Sequence, residues 1–276
     1  MRLDTLLAER GVFDSRSRAA ASVLAGEVLL GAERRRAEKP GQMVASDVEV
    51  DVAAEAEFVS RGGRKLANAL DAFGLDVTGR RAMDVGASTG GFTDCLLQRG
   101  ASHVIALDVA YGELHWRVRN DERVTVLERR NARVIDPSEL PYAPDLVVID
   151  VSFIALAKVL PAVLAATAPS FDCLALVKPQ FEVGRERVGK GGVVRSVEDR
   201  RSALVDAGAA AVALGASVLG FVSSGLPGPK GNRESFVWIA SAGGSPSSGG
   251  GGAGAGLGAA REPVADLEAA AREVEP

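Results

Sequence analysis

Cysteine is scarce in this chain of 276 residues: Cys95 and Cys173 are the whole complement. Each lies in an apolar stretch (Asp94-Cys95-Leu96-Leu97 and Asp172-Cys173-Leu174-Ala175), so both read as buried free thiols in a reducing compartment, not as a disulfide scaffold. A long hydrophobic run is also missing. Nowhere do about eighteen apolar residues follow one another, as a membrane-spanning helix requires. Charges interrupt the first ten residues, so no export signal is expected. Nor is there an excess of positive charge. The formal balance is −4, which argues against a uniformly basic nucleic-acid protein but leaves room for a local basic patch. What remains is the composition of a soluble, cytoplasmic globular protein, 47% apolar and 25% charged, long enough for one large domain and a small one.

Residues 1–58 predict a small α+β domain. Leu3, Leu6 and Leu7 recur at helical spacing with Gly11 as the stop. Ser15 can cap a second helix through Ala19, Ala20, Val23 and Leu24, ending near Gly26. Short strands are expected at Val28-Leu29-Leu30 and over 48–52, with Arg34-Arg35-Arg36 between them. Residues 59–240 alternate strands with helices, the pattern of a mostly parallel sheet covered on both faces, hence a Rossmann-like α/β fold. Seven strands are expected, over 81–85, 103–109, 124–128, 146–150, 173–178, 216–222 and 236–240, with helices over 90–99, 156–168 and 197–214. From Ser241 to Gly258 the chain is almost entirely Gly, Ser and Ala, the composition of a flexible linker. Beyond it, 264–271 can form a short acidic helix whose docking the sequence leaves open.

The first strand of the large domain runs into Gly86-Ala87-Ser88-Thr89-Gly90-Gly91-Phe92, a glycine-rich turn that lets a cofactor approach the backbone at a helix start. A dinucleotide fingerprint would read G-x-G-x-x-G. Here the spacing is G-x-x-x-G-G with Asp84 leading in, which favours a methyltransferase over a dehydrogenase. Asp108 ends the next strand, 22 residues after Gly86, where a carboxylate can accept hydrogen bonds from an adenosine ribose. Asn131 follows the third strand and can read an adenine edge or simply form a turn.

Four ionisable residues stand at the ends of predicted elements, where open α/β sheets place their sites. Lys65 follows Ser60-Arg61-Gly62-Gly63-Arg64, Asp150 ends the 146–150 strand, Lys178 ends the 173–178 strand, and Glu234 precedes the last strand. Two lysines and two carboxylates suit removal of a proton from a weakly acidic hydroxyl. A lysine serves as base when burial and a neighbouring cation disfavour its charge, and carboxylates balance and orient the group. Lys178 is the expected base, Asp150 its orienting partner, and Lys65 and Glu234 the supports.

These residues, with Val59–Leu66, Asp84–Phe92, Asp150-Val151-Ser152-Phe153-Ile154, the run from Val177 through Gly184 and Leu226-Pro227-Gly228-Pro229, resemble the TlyA family. That family joins a ribosomal-protein-type RNA-binding module to an FtsJ-like methyltransferase domain, and the likeness reaches to about Ala240. The resemblance implies a class I fold that uses S-adenosyl-L-methionine to methylate the ribose 2′-hydroxyl of cytidines in ribosomal RNA, 16S, 23S or both. It implies a Lys-Asp-Lys-Glu tetrad formed by Lys65, Asp150, Lys178 and Glu234, and a monomer acting on ribosomal subunits without metal or membrane. Cofactor contacts are expected from Asp84, Gly86, Ala87, Ser88, Thr89, Gly90, Gly91, Phe92, Asp108, Asn131 and Asp150. RNA contacts are expected from Arg2, Arg16, Arg18, Lys39, Arg61 and Arg64. Two departures from the family pattern stand out: Arg64, where many relatives carry a small or aromatic residue, and the Gly-rich tail.

Residues 1–40 hold eight cations against six carboxylates, a slight positive excess suited to a phosphate backbone. The segment 182–192, with four glycines and no apolar periodicity, is expected as a mobile loop beside the site. Family members also carry haemolysin names, yet the sequence offers no amphipathic or spanning element of the length lysis needs. A small-molecule methyltransferase would have no use for the N-terminal module.

Overall fold

The computed structural model describes residues 1–24, 28–52, 57–228, 230–242 and 262–275. The chain divides into two compact units, Met1–Glu57 and Phe58–Pro276. In the first, helices α1 (Leu3–Glu9) and α2 (Arg16–Leu24) accompany a three-stranded antiparallel sheet of β1 (Val28–Leu30), β2 (Arg35–Arg36) and β3 (Val50–Val52), in the order β2-β1-β3. Helices this short do not persist alone. Leu3, Leu7, Ala19, Val23 and Val28 supply their shared core, and one carboxylate ties their starts together. Asp4 is buried; Nη2 of Arg2 lies 2.8 Å and Nε of Arg16 3.1 Å from its Oδ2. The Arg2 guanidinium, with Arg16 beside it, holds the Asp4 carboxyl well below the usual carboxylate range.

The second unit runs α3 (Arg61–Phe73), β4 (Arg81–Val85), α4 (Gly91–Gln98), β5 (His103–Asp108), α5 (Trp116–Arg119), β6 (Val124–Glu128), β7 (Leu146–Ile149), α6 (Leu160–Ala165), β8 (Asp172–Val177), α7 (Pro179–Glu182), α8 (Val197–Ala213), β9 (Ser217–Ser223), β10 (Ser235–Ala240) and α9 (Leu267–Val274). Its seven strands form the Rossmann-like sheet the sequence predicts, in the order β6-β5-β4-β7-β8-β10-β9. The β4, β5, β6, β7 and β8 pairings are parallel; β10 runs antiparallel to both β8 and β9. Strands β7, β8 and β10 are buried along their whole length, as strands covered on both faces must be. At the edge where β4, β7 and β8 begin, the buried Arg80 guanidinium meets Asp145 at 2.9 Å and Asp172 at 3.1 Å, and Trp238 Nε1 donates to Asp172 at 2.9 Å.

The sequence assigns no element to 61–73, yet this segment is a thirteen-residue helix closed by Gly74 in the left-handed conformation (φ 65°). Gly62-Gly63 looks like a turn, but Gly63 serves a close crossing of helices. A Cβ on Gly63 would lie 2.3 Å from the Phe58 ring and 2.8 Å from the Gly91 carbonyl oxygen; one on Gly91 would lie 2.1 Å from Ser60 Oγ. The predicted 156–168 helix also divides, into a 3₁₀ turn over Leu156–Lys158 and then α6.

The terminal helix docks. Ala271 of α9 is fully buried, Leu267 lies against Gly208 of α8, and the Val264 N–H donates to the Val218 carbonyl at 2.8 Å. The expected linker lies, from residue 243 on, outside the described residues, as does Gly26. Among the described residues no helix is long and apolar enough to cross a membrane.

Because the α3–α4 crossing admits no side chain at Gly63, Gly63→Ala is expected to destabilise the large unit by about 1–3 kcal/mol, the usual range for overpacking. A urea unfolding midpoint equal to that of the parent protein would contradict this account of the crossing.

Candidate active site

Strand order builds the site. β7, β8 and β10 are neighbours, and because β10 is antiparallel, its start lies at the edge where β7 and β8 end. Asp150 follows the last residue of β7, Lys178 follows the last of β8, and Glu234 precedes the first of β10. Ser235 pairs with Val177, so Glu234 and Lys178 stand opposite one another in register. Lys65 arrives from α3, with Nζ 2.5 Å from Glu234 Oε2 and with both side chains buried (8% and 1% exposed). A Cβ on Gly228 would lie 2.3 Å from Glu234 Oε1, so only glycine lets the 226–228 loop rest on that carboxylate. Lys178 Nζ lies 2.5 Å from Asp150 Oδ1, an ionic contact without hydrogen-bond geometry, and donates to Ser152 Oγ at 3.0 Å. The sequence suggests two lysines opposing each other's charge. The structure instead gives each lysine its own carboxylate.

Beside these pairs lies a cleft of about 400 Å³, within the usual size of small-molecule sites. Gly86, Ser88, Asp108, Asn131, Asp150 and Phe153 are among its lining residues. The backbone bends sharply on both sides. Gly86 has φ 87°, and a Cβ there would lie 2.6 Å from the Asp150 carbonyl oxygen. Ser88 (φ 46°) and Phe153 (φ 65°) hold left-handed conformations that cost a non-glycine residue roughly 1–3 kcal/mol and cluster at ligand sites. Phe153 is 90% exposed, and its ring centroid is 5.1 Å from that of Phe181. Asp108 accepts the Ser88 N–H at 2.7 Å on one oxygen and the Ala110 N–H at 2.8 Å on the other, which leaves each oxygen a second lone pair for a ligand. Asn131 Oδ1 accepts the Arg133 N–H at 3.0 Å, so the turn-forming alternative is realised while the residue still lines the cleft.

Several expected cofactor contacts face inward instead. Asp84 is fully buried, and its Oδ2 accepts the Thr93 N–H at 3.0 Å and the Thr93 hydroxyl at 2.7 Å, pinning α4 to the end of β4. Burial pushes its carboxyl up to about 7, reinforced by the charges of Asp150 and Asp108, and Oδ1 has no hydrogen-bond partner among the described residues. Phe92 belongs to the core, its ring 5.8 Å from that of Phe236. Gly90 makes room for Leu114, 2.8 Å from where its Cβ would stand, and Gly91 for Ser60. Ala87 is buried, and the Thr89 carbonyl accepts the His115 N–H at 3.1 Å. From Asp84 to Phe92, then, Gly86 and Ser88 are the cleft-lining residues. Ser152 and Phe153 are not among the expected site residues; their signal was position, directly after a strand end.

The 182–192 segment is not a structureless loop. Glu182, pushed up to about 7 by burial, accepts the Leu156 N–H at 3.0 Å, and Arg185–Arg187 form a 3₁₀ turn. The buried Asn232 accepts from the Val194 N–H at 2.9 Å and donates to the Gly192 carbonyl at 2.8 Å. Of the expected RNA contacts, Arg61 and Arg64 are exposed on α3, Arg64 with its guanidinium 5.9 Å from the Phe58 ring. Arg18 and Lys39 are exposed too, as are Arg2 and Arg16, whose guanidinium groups meet Asp4. Among the described residues no group of three or more His, Cys, Asp or Glu is arranged to hold a metal ion. The lining carries three carboxylates, Asp108, Glu113 and Asp150, beside Arg130 and Arg133, and the carboxylates suit a ligand that bears hydroxyls and a positive charge.

Comparison with known proteins gives consistent matches. Residues 58–241 match the FtsJ-like methyltransferase family model. The chain is 47% identical over 240 residues to the 16S/23S rRNA (cytidine-2′-O)-methyltransferase TlyA of Mycobacterium tuberculosis, covering 86% of this chain and 89% of that protein. It is 36% identical over 235 residues to Hemolysin A of Brachyspira hyodysenteriae, covering 85% of this chain and 97% of that protein. A solved structure from Streptococcus thermophilus, provisionally named a hemolysin, superimposes with a TM-score of 0.69 at 35% identity, covering 99% of this chain and 94% of that one.

The raised Asp84 carboxyl has a measurable consequence for the ligand-free protein. Its contribution to stability is fully present below the ordinary aspartate value of about 4 and is lost as pH rises through about 7. Asp84→Asn, whose amide oxygen can still accept from Thr93, should therefore gain stability relative to the parent between those limits. Urea midpoints for both proteins that run parallel from pH 4.5 to 8 would contradict the assignment.

Proposed function

The chain belongs to the FtsJ-like methyltransferase family, and from that premise we propose that it transfers the methyl group of S-adenosylmethionine to the ribose 2′-hydroxyl of cytidines in ribosomal RNA. The observation that carries this reading is the meeting of two Lys–carboxylate pairs at three adjacent strand ends, one of whose carboxylates, Asp150, lines the cleft together with Asp108. The likeness to a relative named for both 16S and 23S RNA extends over nearly the whole of that protein and supports substrates in both ribosomal subunits.

In this reading S-adenosylmethionine supplies a methyl group on a positively charged sulfur. Asp108 would receive the ribose hydroxyls of the cofactor, Gly86 and Ser88 would give it backbone to lie against, and Asn131 would border its base. Asp150 contributes negative charge at the cleft and, together with Ser152, orients the Lys178 amino group. As the neutral amine, Lys178 would take the proton of the 2′-hydroxyl, whose oxygen gains the methyl group as the sulfur–methyl bond breaks and the sulfur leaves as a neutral thioether. Lys65 and Glu234 form the buried support that fixes the rim. Arg2, Arg16, Arg18 and Lys39 of the small domain, with Arg61 and Arg64, meet RNA phosphates. The protein acts as a cytoplasmic monomer on assembled subunits.

The test is methyl transfer from labelled cofactor to purified ribosomal subunits, with 2′-O-methylcytidine identified after digestion. Lys178→Ala should lose at least about 100-fold in rate, as removal of a general base does, with cofactor affinity intact by calorimetry. Full activity in that variant would sink the assignment. Asp108→Ala should weaken cofactor binding by about 2 kcal/mol, the range for hydrogen bonds to a charged acceptor.

RNA anchoring is best tested by Arg18→Glu with Lys39→Glu, since Arg16→Glu would set a second carboxylate against the buried Asp4. The double variant should bind subunits more weakly and flatten the logarithmic salt dependence by about 0.7–0.9 per lost phosphate contact, leaving cofactor binding unchanged. An unaltered salt slope would remove both residues from the RNA interface.

A further inference from the structure

We propose that Glu275, just beyond α9, is a positioning residue for methyl transfer: it braces from two sides the Asn232–Glu234 turn that carries one half of the buried pair. The inference rests on the reading of Lys65 and Glu234 given above. The Glu275 carboxylate is 5% exposed, and burying a charge is costly unless it is paired. Arg200 Nε lies 2.8 Å from its Oε2 and Arg233 Nη1 lies 3.7 Å from the same atom, while Arg201 Nε donates to its backbone oxygen at 2.6 Å.

Two routes lead from this carboxylate to the site. Arg200 Nη1 also donates to the carbonyls of Arg195 at 2.8 Å and Ser196 at 3.3 Å. That fixes the segment whose Gly192 and Val194 backbone groups are held by the buried Asn232. The second route is direct, because Arg233 stands between Asn232 and Glu234. Three consecutive side chains thus hold three different things: the 192–194 backbone, Glu275 after the terminal helix, and Lys65. Arg233 is 69% exposed, so its own pair contributes little, and the buried Arg200 branch is the stronger. The helix is built for this seat, apolar where Leu267 and Ala271 face α8 and acidic where the arginines meet it. It lines no part of the cleft.

The test compares Glu275→Gln, Arg233→Met and the double variant in the full-length protein. Glu275→Gln should lower kcat by about tenfold, mid-range for coupling between linked sites, with KM for S-adenosylmethionine unchanged. Arg233→Met should lower it less, and the double variant should match Glu275→Gln. Amide exchange should quicken at Ser224 and Gly228, whose N–H groups bond to the Glu234 and Asn232 carbonyls. Unchanged exchange in Glu275→Gln overturns the inference. So does faster exchange with kcat intact while Lys65→Met with Glu234→Gln is inactive, since the pair then works without its brace. If that double replacement keeps full activity, the catalytic reading of the pair fails, and exchange at Ser224 and Gly228 alone decides whether Glu275 braces the turn. Should Glu275→Gln fail to fold, Arg233→Met carries the test with the same readouts, because it leaves the Arg200–Glu275 pair in place.

Discussion

Lys65 and Glu234 lie 169 residues apart in sequence and meet away from water. Taking two charges out of solvent costs several kcal/mol for each, roughly, and their attraction repays this only when the geometry is held. Much of the large unit can be understood as the means of holding it. Gly63 and Gly91 let α3 and α4 approach backbone to backbone, which sets the depth from which the Lys65 side chain reaches. Gly228 lets a loop lie on the Glu234 carboxylate and shut out water. β10, fully buried between β8 and β9, delivers Glu234 in register with Lys178 and so joins the buried pair to the more accessible one.

The two edges of the sheet treat polar groups differently. Where β4, β7 and β8 begin, Arg80, Asp145, Asp172 and Trp238 satisfy one another in one network of ion pairs and hydrogen bonds. Where those strands end, Asp84 Oδ1 lacks a hydrogen-bond partner among the described residues, and Ser88 and Phe153 carry strained backbone. Native proteins seldom leave buried polar atoms unmatched without a functional reason. The imbalance between the edges marks the functional one independently of any family likeness.

Much of this was legible in the sequence because apolar period and strand-end position are local signals. Buried runs such as 146–149 and 172–177 could hardly be anything but interior strands, and the residues just past them, Asp150 and Lys178, fall where open sheets place their chemistry. Helix α3 was missed because Gly62-Gly63 carries the mark of a turn, while its real purpose, closeness to Gly91, depends on a residue 28 positions away. In the glycine-rich loop, too, the side-chain surroundings depend on distant residues. Nothing local tells whether Gly90 and Phe92 face a ligand or the core, and it is Leu114 and Phe236 that decide. The pairing of each lysine with its own carboxylate, and the double use of Asp4 by Arg2 and Arg16, depend on side-chain reach across elements, which spacing does not encode.

The placement of β10 bears on when the enzyme becomes competent. A strand inserted antiparallel between β8 and β9 takes its place only after both neighbours have been synthesised, and it is the last strand of the sheet to leave the ribosome. Until then α3 carries a lysine whose partner does not yet exist, and the pairings that complete the rim are among the most distant in the chain, the kind that form slowly. A nascent chain released early, or cut before residue 234, can own the whole cleft with Lys65, Asp150 and Lys178 yet lack Glu234, the carboxylate that meets Lys65. The buried charge of Lys65 is therefore matched only late in synthesis.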